Sequence, residues 1–310
     1  MKKSLIALAV LAASGAAMAQ SSVTLYGVAD AGVGKIKSGG TDSSNKTEFI
    51  SGSTMNNGNS RLGVRGVEDL GGGLKAGFQF ESQIDLDSGA AASSFWARQA
   101  NLWLSGNWGT VKLGRQFTPS YLTGSTFELT GAANYSVLAN TYNWAGIGSR
   151  ANSAFAYITP NFGGFTAGAA YVTKTDLGLP KAAYDLGLMY SNGPIAAGVS
   201  VNKVAESKTN YQVGGKYSFG NFALAASYTQ ASNQAKAIRR GFGLGGSATF
   251  GAFTATLDLT RDTKNELTGD KYTNGVVELK YALSKRTFVY GAFLRLDDTN
   301  NYGIGVRHNF

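Results

Sequence analysis

Along most of this chain, large apolar side chains alternate with small or polar ones. In the segment that begins at Val23, Leu25 and Val33 share one face, while Tyr26 and Asp30 lie on the other. A period of two residues is typical of β-strands. The segments are about nine residues long and are separated by tight turns and longer polar loops in alternation, as in transmembrane barrels.

The spacing of these connections predicts the number of strands. Seven short turns fall at residues 69–73, 106–109, 160–164, 191–194, 220–221, 251–252 and 284–286. Eight longer loops fall at 37–59, 85–94, 117–151, 173–181, 205–209, 230–240, 261–270 and 297–301. Together they join about sixteen strands, and single-chain bacterial barrels have an even number. We therefore predict an all-β fold, a transmembrane antiparallel β-barrel of about 16 strands.

Both termini agree with an exported barrel. A strand with large side chains at every second position ends at Phe310, and such an edge is protected when it pairs with the first strand of a closed barrel. Phe310 is therefore a candidate terminal assembly signal. Residues 1–19 combine a basic start, an apolar core and a small-residue cleavage site, which predicts a signal peptide followed by one barrel domain over 20–310.

A soluble β-sandwich would also show alternation. Its second face is usually charged, whereas here that face is rich in Gly, Ser, Thr, Asn and Gln with isolated charges, as expected for a wet lumen. The favoured location is the outer membrane of a Gram-negative bacterium, with the lipid bilayer and lipopolysaccharide as neighbours.

The charge balance is basic, with 28 Lys and Arg against 19 Asp and Glu. Nucleic-acid binding is disfavoured because most of the cations are spread singly through alternating strands, and Arg239-Arg240 and Lys285-Arg286 are the only adjacent pairs after the leader. The chain has no cysteine, no histidine pair and no cofactor motif, so we expect neither a cofactor nor a metal site.

Strand parity predicts which charged side chains face the lumen. The predicted inward cations are Arg61, Arg65, Lys75, Lys112, Lys216, Lys280, Arg295 and Arg307. The predicted inward acids are Asp30, Glu81, Asp185, Asp258 and Glu278. Because cations are in excess, the wall should favour small anions in the water.

The loop at 117–151 is about three times longer than its neighbours, and loops of this length are usually functional. It is rich in apolar residues, with Glu128 its only acid and Arg150 its only base. We predict that it folds into the lumen and forms the constriction.

Several motifs occur in a fixed order along the whole chain. They are Val23-Thr24-Leu25-Tyr26-Gly27, Ser60-Arg61-Leu62-Gly63-Val64-Arg65-Gly66-Val67-Glu68-Asp69-Leu70, Leu113-Gly114-Arg115-Gln116, Thr159-Pro160-Asn161-Phe162, Leu283-Ser284-Lys285-Arg286-Thr287 and Gly305-Val306-Arg307-His308-Asn309-Phe310. In these motifs the chain resembles the general diffusion porins of β-proteobacteria. The resemblance implies an anion-selective outer-membrane homotrimer for passive diffusion, without a catalytic step, in which the third loop folds inward.

The resemblance also implies a constriction site. It places the cluster arginines at Arg61 and Arg115 and the facing acids at Glu81 and Glu128. Strand parity alone puts Arg115 on the lipid side, so its inward role depends on the resemblance. Many relatives carry a further base where this chain has Ala156, and Arg150 could replace it. Residues of a wider pore lining would be Arg65, Lys75, Arg150, Asp30 and Arg307.

Two alternatives to a general channel remain. A substrate-specific channel for phosphate, an organic anion or a sugar is possible in this class, although a sugar slide needs aromatic residues on the wall and parity offers mainly Tyr26 and Phe293. A barrel enzyme is the remote alternative. Its usual general base is a histidine, and the single histidine, His308, faces outward by strand parity.

Overall fold

The computed structural model describes residues 22–37, 46–174 and 181–310, so the predicted signal peptide lies outside the described residues. These residues form seventeen strands and two helices. The strands are β1 (Ser22–Lys35), β2 (Glu48–Ser51), β3 (Arg61–Gly71), β4 (Leu74–Gln83), β5 (Gln99–Gly106), β6 (Gly109–Phe117), β7 (Arg150–Ile158), β8 (Phe165–Val172), β9 (Ala183–Asn192), β10 (Ile195–Val204), β11 (Asn210–Phe219), β12 (Phe222–Ser232), β13 (Ile238–Phe250), β14 (Phe253–Asn265), β15 (Thr273–Ala282), β16 (Thr287–Leu296) and β17 (Thr299–Asn309). The helices are α1 (Pro119–Phe127) and α2 (Val137–Tyr142).

The strands close into one antiparallel barrel. Strands β2 and β3 both pair with the same edge of β1. Residues 31–34 of β1 pair with β2, and residues 22–28 of β1 pair with β3, so β2 and β3 share one strand position in the wall. Strand β17 pairs with the other edge of β1, from Val28 opposite Asn309 to Lys35 opposite Tyr302. The wall therefore has sixteen strand positions, which confirms the predicted fold class.

The two ends of the barrel differ as predicted. All seven predicted turns join consecutive strands, and we call this side the short-turn end and the opposite side the long-loop end. Several loops are shorter than predicted because the strands continue further. The connections after β12, β14 and β16 are residues 233–237, 266–272 and 297–298.

The two faces of the wall differ in polarity. Apolar side chains such as Leu244 and Ile304 point outward and are 66% and 63% exposed, as expected of a surface that contacts lipid. The inward side chains of the same and neighbouring strands include the buried carboxylates Asp258 and Glu278. Neither helix in the described ranges is long and apolar enough to cross a membrane.

The face prediction is wrong for β16. Leu294 is fully buried on the inward face, so Arg295 and Phe293 point outward. The error arises because β16 is apolar on both faces: its inward side chains pack against Tyr135 and other residues of the connection between β6 and β7. Apolar content therefore did not distinguish lipid from protein contact.

Candidate functional site

The connection between β6 and β7, residues 118–149, begins with a capped helix. The side chain of Thr118 accepts a hydrogen bond from the backbone N–H of Tyr121, and Pro119 occupies the first turn, where its missing N–H costs nothing. Helix α2 begins at the corresponding cap Ser136 and ends at Asn143, whose left-handed backbone (φ 44°) stops the helix. We call residues 118–149 the long segment.

Helix α1 is bonded to the inward face of β9, β10 and β11. Asp185 accepts hydrogen bonds from the backbone N–H (2.8 Å) and the hydroxyl (2.5 Å) of Ser120, and the amide of Asn202 donates to the same hydroxyl at 2.9 Å. The helix approaches the wall closely where the wall residue is glycine. A Cβ atom at Gly187 would lie 2.5 Å from the hydroxyl oxygen of Thr123, so no larger residue fits there without a shift.

The second half of the long segment is bonded to the opposite wall. The Tyr135 hydroxyl donates to Glu278 at 2.6 Å and accepts from the side chain of Asn57 at 2.8 Å. Burial, together with the neighbouring Glu278 carboxylate, raises the pKa of Tyr135, so the phenol stays a neutral donor. Val137 packs in an apolar cluster with residues of the wall, including Leu294.

These contacts leave a cavity on one side of the lumen. The long segment packs against strands from β8 to β16, and a cavity of about 450 Å³ lies between it and the remaining wall. Four arginines line this cavity: Arg61, Arg98, Arg150 and Arg307. We call it the arginine cavity. The long segment contributes mainly small, amide and aromatic residues, namely Tyr121, Gly131, Ala132, Ala133, Asn134, Ala139, Asn140, Asn143, Trp144 and Ser149.

One carboxylate joins two of these arginines. Glu81 lies 2.6 Å from the Nε atom of Arg98 and 3.6 Å from that of Arg61, and it accepts a hydrogen bond from Tyr26 at 3.0 Å. Its side chain is 7% exposed, whereas Arg61 is 20% exposed. The negative charge of Glu81 is therefore used in bonds to Arg98, Arg61 and Tyr26, and the charge accessible from the cavity is the positive charge of the arginines.

The other two arginines are held by uncharged groups. Arg150 lies over the ring of Phe117, with 4.4 Å between the guanidinium carbon and the ring centroid, and Phe117 stacks on Tyr121. Arg307 donates to the side-chain oxygen of Asn57 at 2.8 Å. Neither forms an ion pair with a carboxylate in the described parts of the chain. Their positive charges in the cavity are therefore not offset by a paired acid.

The predicted wider lining is divided between two environments. Arg65 and Lys75 lie on inward positions nearer the short-turn end, where Arg65 is exposed and sits over the ring of Tyr26. Asp30 is fully buried instead of lining the water. It accepts hydrogen bonds from the backbone of Gly58 (2.8 Å) and from Tyr290 (2.6 Å), so it positions the chain that leads into β3.

The structure does not bring Arg115 and Glu128 to the arginine cavity. Arg115 follows the parity of Leu113, away from the lumen, at a bulge where β6 and β7 shift register, and it bonds to Asn152 and the carbonyl of Ala97. Glu128 is 3% exposed and accepts from the Thr130 hydroxyl and the backbone N–H of Ala132. Its carboxylate therefore stabilises a turn of its own segment.

Arg98 is the cavity residue that the sequence analysis missed. It precedes β5 by one residue, so strand alternation assigns it no face, and its position follows from two bonds to Glu81. Its backbone N–H donates to the Glu81 carbonyl at 3.1 Å, and its guanidinium pairs with the carboxylate of the same residue. Continuing the alternation back from the inward residues Gln99 and Asn101 would put Arg98 on the outward face, so the sequence carries no local signal for its place in the cavity.

A closed antiparallel barrel with an apolar outer face and a charged passage inside defines the class of outer-membrane channels. Comparison with known proteins gives the particular family. The family model described as Gram-negative porin matches residues 5–309. The chain belongs to this family: it is an outer-membrane porin, and its barrel is a channel for passive diffusion of small hydrophilic solutes.

Relatives cover the whole chain. Outer membrane porin protein 32 of Delftia acidovorans is 37% identical over 341 aligned residues, which cover 99% of this chain and 93% of the relative. An outer membrane porin protein of Bordetella pertussis is 30% identical over 390 aligned residues, with 100% of both chains covered.

Solved structures agree in fold. An anion-selective porin from Comamonas acidovorans matches with a TM-score of 0.77 and 29% identity, over 94% of this chain and 100% of that chain. OmpT of Vibrio cholerae, in a form with a loop deletion, matches with a TM-score of 0.70 and 17% identity, over 94% of this chain and 99% of that chain. The second likeness concerns the fold alone.

Proposed function

We propose that this porin is weakly anion-selective and that the arginine cavity is its constriction. The observation that carries the proposal is the composition of the cavity wall: four arginines line it, and Glu81, the carboxylate bonded to two of them, is itself nearly buried. Guanidinium groups stay charged at any pH at which the barrel functions. The passage therefore concentrates anions and repels cations.

The long segment makes this charge effective. It fills the lumen on the β8 to β16 side, so solutes pass close to Arg61, Arg98, Arg150 and Arg307 instead of through the centre of a wide pore. Two unit charges 4 Å apart interact by about 1 kcal/mol in water and by more near a protein surface. The name of the structural neighbour from Comamonas acidovorans, an anion-selective porin, supports the same preference.

The reversal potential in a KCl gradient tests this proposal. We expect the sign that corresponds to chloride preference, and we expect the preference to weaken at high salt because the charges are screened. A reversal potential of the opposite sign, or of zero at low salt, would contradict the proposed selectivity.

We further propose that the porin works as a homotrimer in contact with lipopolysaccharide and has no catalytic step. Large apolar side chains are exposed on the outward face all around the barrel, which suits both lipid and a neighbouring copy. The histidine that an enzyme would need, His308, points outward and stacks on Phe310. The native mass in mild detergent tests the trimer: three chains are expected, and a monomer would contradict it.

A channel selective for organic anions is the second candidate, because Phe117, Tyr121 and Trp144 line the cavity beside the arginines. Such a channel would bind an aromatic carboxylate such as benzoate and show saturating conductance. Conductance that rises in proportion to benzoate concentration would favour the general channel.

A further inference from the structure

Strands β13, β14, β15 and β16 separate their charges by face. All three carboxylates of these strands, Asp258, Asp262 and Glu278, are buried on the inward face. The outward face carries cations and no acid. Its cations are Arg240, Arg261, Lys264 and Arg295, and we call them the outer basic patch.

Strand register brings these four cations together. Arg240 is opposite Lys264, and Phe242, the next outward residue of β13, is opposite Arg261. Arg261 is opposite Thr273 of β15, and Arg295 of β16 is opposite Gly275 of the same strand. Because neighbouring strands are about 4.8 Å apart, the patch spans about 15 Å across four strands.

The patch lies at the long-loop end, directly beyond the apolar belt. Arg295 is the second last residue of β16, and Arg240 is the third residue of β13. Exposed aromatic side chains, Phe242 and Phe293, occupy the next outward positions toward the middle of the wall. Aromatic residues mark the interfaces of transmembrane barrels, so the patch is at the level of the lipid head groups.

Arginine on the outer face of a barrel costs about 2–4 kcal/mol of stability at the bilayer midplane and only about 0–1 kcal/mol near the interface, so these cations are tolerated at this level, where anionic neighbours can offset their charge. The described residues supply few. Lys264 pairs with Glu266 at 2.6 Å, whereas Arg240, Arg261 and Arg295 form no ion pair in the described ranges. The Nε atom of Arg240 is buried without a hydrogen-bond partner among those residues.

Arg261 is held in an outward position by neutral groups. Its guanidinium donates to the Thr273 hydroxyl at 3.0 Å and to the Lys271 carbonyl at 3.3 Å. At most two of its five donors are thus used, and the others remain available for the oxygens of an anion such as phosphate.

We propose that the outer basic patch binds the phosphate groups of lipopolysaccharide in the outer leaflet. The proposal deepens the proposed contact with this lipid by assigning it a site. Arg240, Arg261 and Arg295 bind phosphate oxygens, while exposed apolar residues below them, such as Leu244, Leu259 and Val277, contact the acyl chains. Arginine binds phosphate in two-point geometry, which lysine cannot reproduce.

The test compares glycolipid binding to folded barrels in non-ionic detergent by native mass spectrometry. The probes are rough lipopolysaccharide, the same lipid after enzymatic removal of its phosphates, and inorganic phosphate alone. The variants are the triple Arg240→Ser, Arg261→Ser, Arg295→Ser, and the corresponding triple of arginine to lysine. Lys203→Ser is the matched control, because Lys203 is an exposed outward residue near the end of β10, at the same level of the wall.

We expect phosphorylated lipopolysaccharide to bind the wild type at least about tenfold more tightly than the dephosphorylated lipid, since several charge-assisted bonds are involved. The serine triple should lose that difference, the lysine triple should keep part of it, and Lys203→Ser should keep all of it. Inorganic phosphate should not compete at concentrations near those of the lipid.

Equal binding of the two lipids by the wild type, or unchanged binding by a folded serine triple, would overturn the proposal. If the serine triple does not fold, each single variant is measured in the same way, and unchanged binding in all three has the same meaning. The chloride preference of every folded variant should equal that of the wild type, because the patch lies outside the lumen. Failure of this assignment is thus distinguishable from failure of the proposed selectivity.

Discussion

Arg98 is bonded to the barrel wall through Glu81 of β4, and it contributes a positive charge to the arginine cavity. Its guanidinium pairs with Glu81 at 2.6 Å, and its side chain, 11% exposed, lines the arginine cavity. The same carboxylate lies 3.6 Å from Arg61. Removing Arg98 would therefore both delete a cation and leave Glu81 with a weaker partner, and each change makes the cavity less positive.

We predict that Arg98→Ser lowers the chloride-to-potassium permeability ratio by about fivefold, because one charge at close range is worth about 1 kcal/mol in water. The measurement is the reversal potential in a KCl gradient. Arg115→Ser is the matched control, since it removes the same charge from a residue outside the cavity. A larger effect of Arg115→Ser than of Arg98→Ser would show that the cavity is assigned to the wrong residues.

Barrel closure depends on Gly27. Its N–H donates to the Phe310 carbonyl at 2.9 Å, and its carbonyl accepts from the Phe310 N–H at 3.0 Å. A Cβ atom at Gly27 would collide with the Phe310 ring and lie 2.7 Å from the Arg61 carbonyl oxygen.

Gly27→Ala should therefore reduce the folded fraction in a refolding assay. Gly291→Ala, where the nearest atom is 3.5 Å away, should refold like the wild type; equal refolding of both would contradict the role of Gly27.

Strand parity determines the face of a residue only while the strand is regular. It places Arg61, Glu81 and Arg307 on the inward face, and the structure has them there. It cannot place Arg98, which lies outside a strand, and it fails at Arg295 because β16 is apolar on both faces. At Arg115 parity agrees with the structure, and the inward role implied by the family resemblance does not.

At the scale of elements, the long segment is fixed by buried polar bonds in its first helix and just before its second. Asp185 accepts two bonds from Ser120, and Glu278 accepts one from Tyr135. These two carboxylates are on opposite sides of the region that the segment fills, on β9 and β15. The segment therefore keeps one position across the lumen, and the width of the arginine cavity depends on these anchors.

We predict that Asp185→Ala destabilises the folded barrel by about 1–3 kcal/mol, because buried donors of Ser120 and the amide of Asn202 lose their network. Denaturant unfolding in lipid vesicles measures the change. Asp69→Ala is the control, since Asp69 is exposed and its carboxylate accepts a hydrogen bond from the backbone N–H of Gly71, two residues away on the surface. Equal stability of the wild type and the Asp185 variant would contradict the anchor.

The sequence allowed the prediction of the segment's length and apolar character but not of its contacts. Its two helices are short, and their caps, Thr118 and Ser136, are common residues. The direction in which Glu128 points depends on the path of the backbone, which the sequence does not reveal. The sequence analysis assigned Glu128 to the constriction, whereas its carboxylate accepts hydrogen bonds from Thr130 and Ala132 in its own turn. Tertiary packing decides such a path, and one sequence contains little local signal for it.

At the scale of the whole molecule, charge is distributed by face and by depth. The arginine cavity lies between the long segment and the adjoining wall, the acids of β13 to β16 are buried inward, and the outer basic patch meets the lipid. Period-two alternation was sufficient to predict sixteen strand positions and a closed barrel, because each of the seven short turns is marked locally in the sequence. The central claim that remains for measurement is that ions pass through the arginine cavity.

The chain contains no cysteine, so a single introduced thiol reports on this path directly. Ala139 lines the cavity from the long segment, and Leu244 is exposed on the outer face. In single-channel recordings of Ala139→Cys, a bulky hydrophilic thiol reagent should reduce the current in one step per barrel, while Leu244→Cys should show no change. An undiminished current after complete modification of Ala139→Cys would contradict the account.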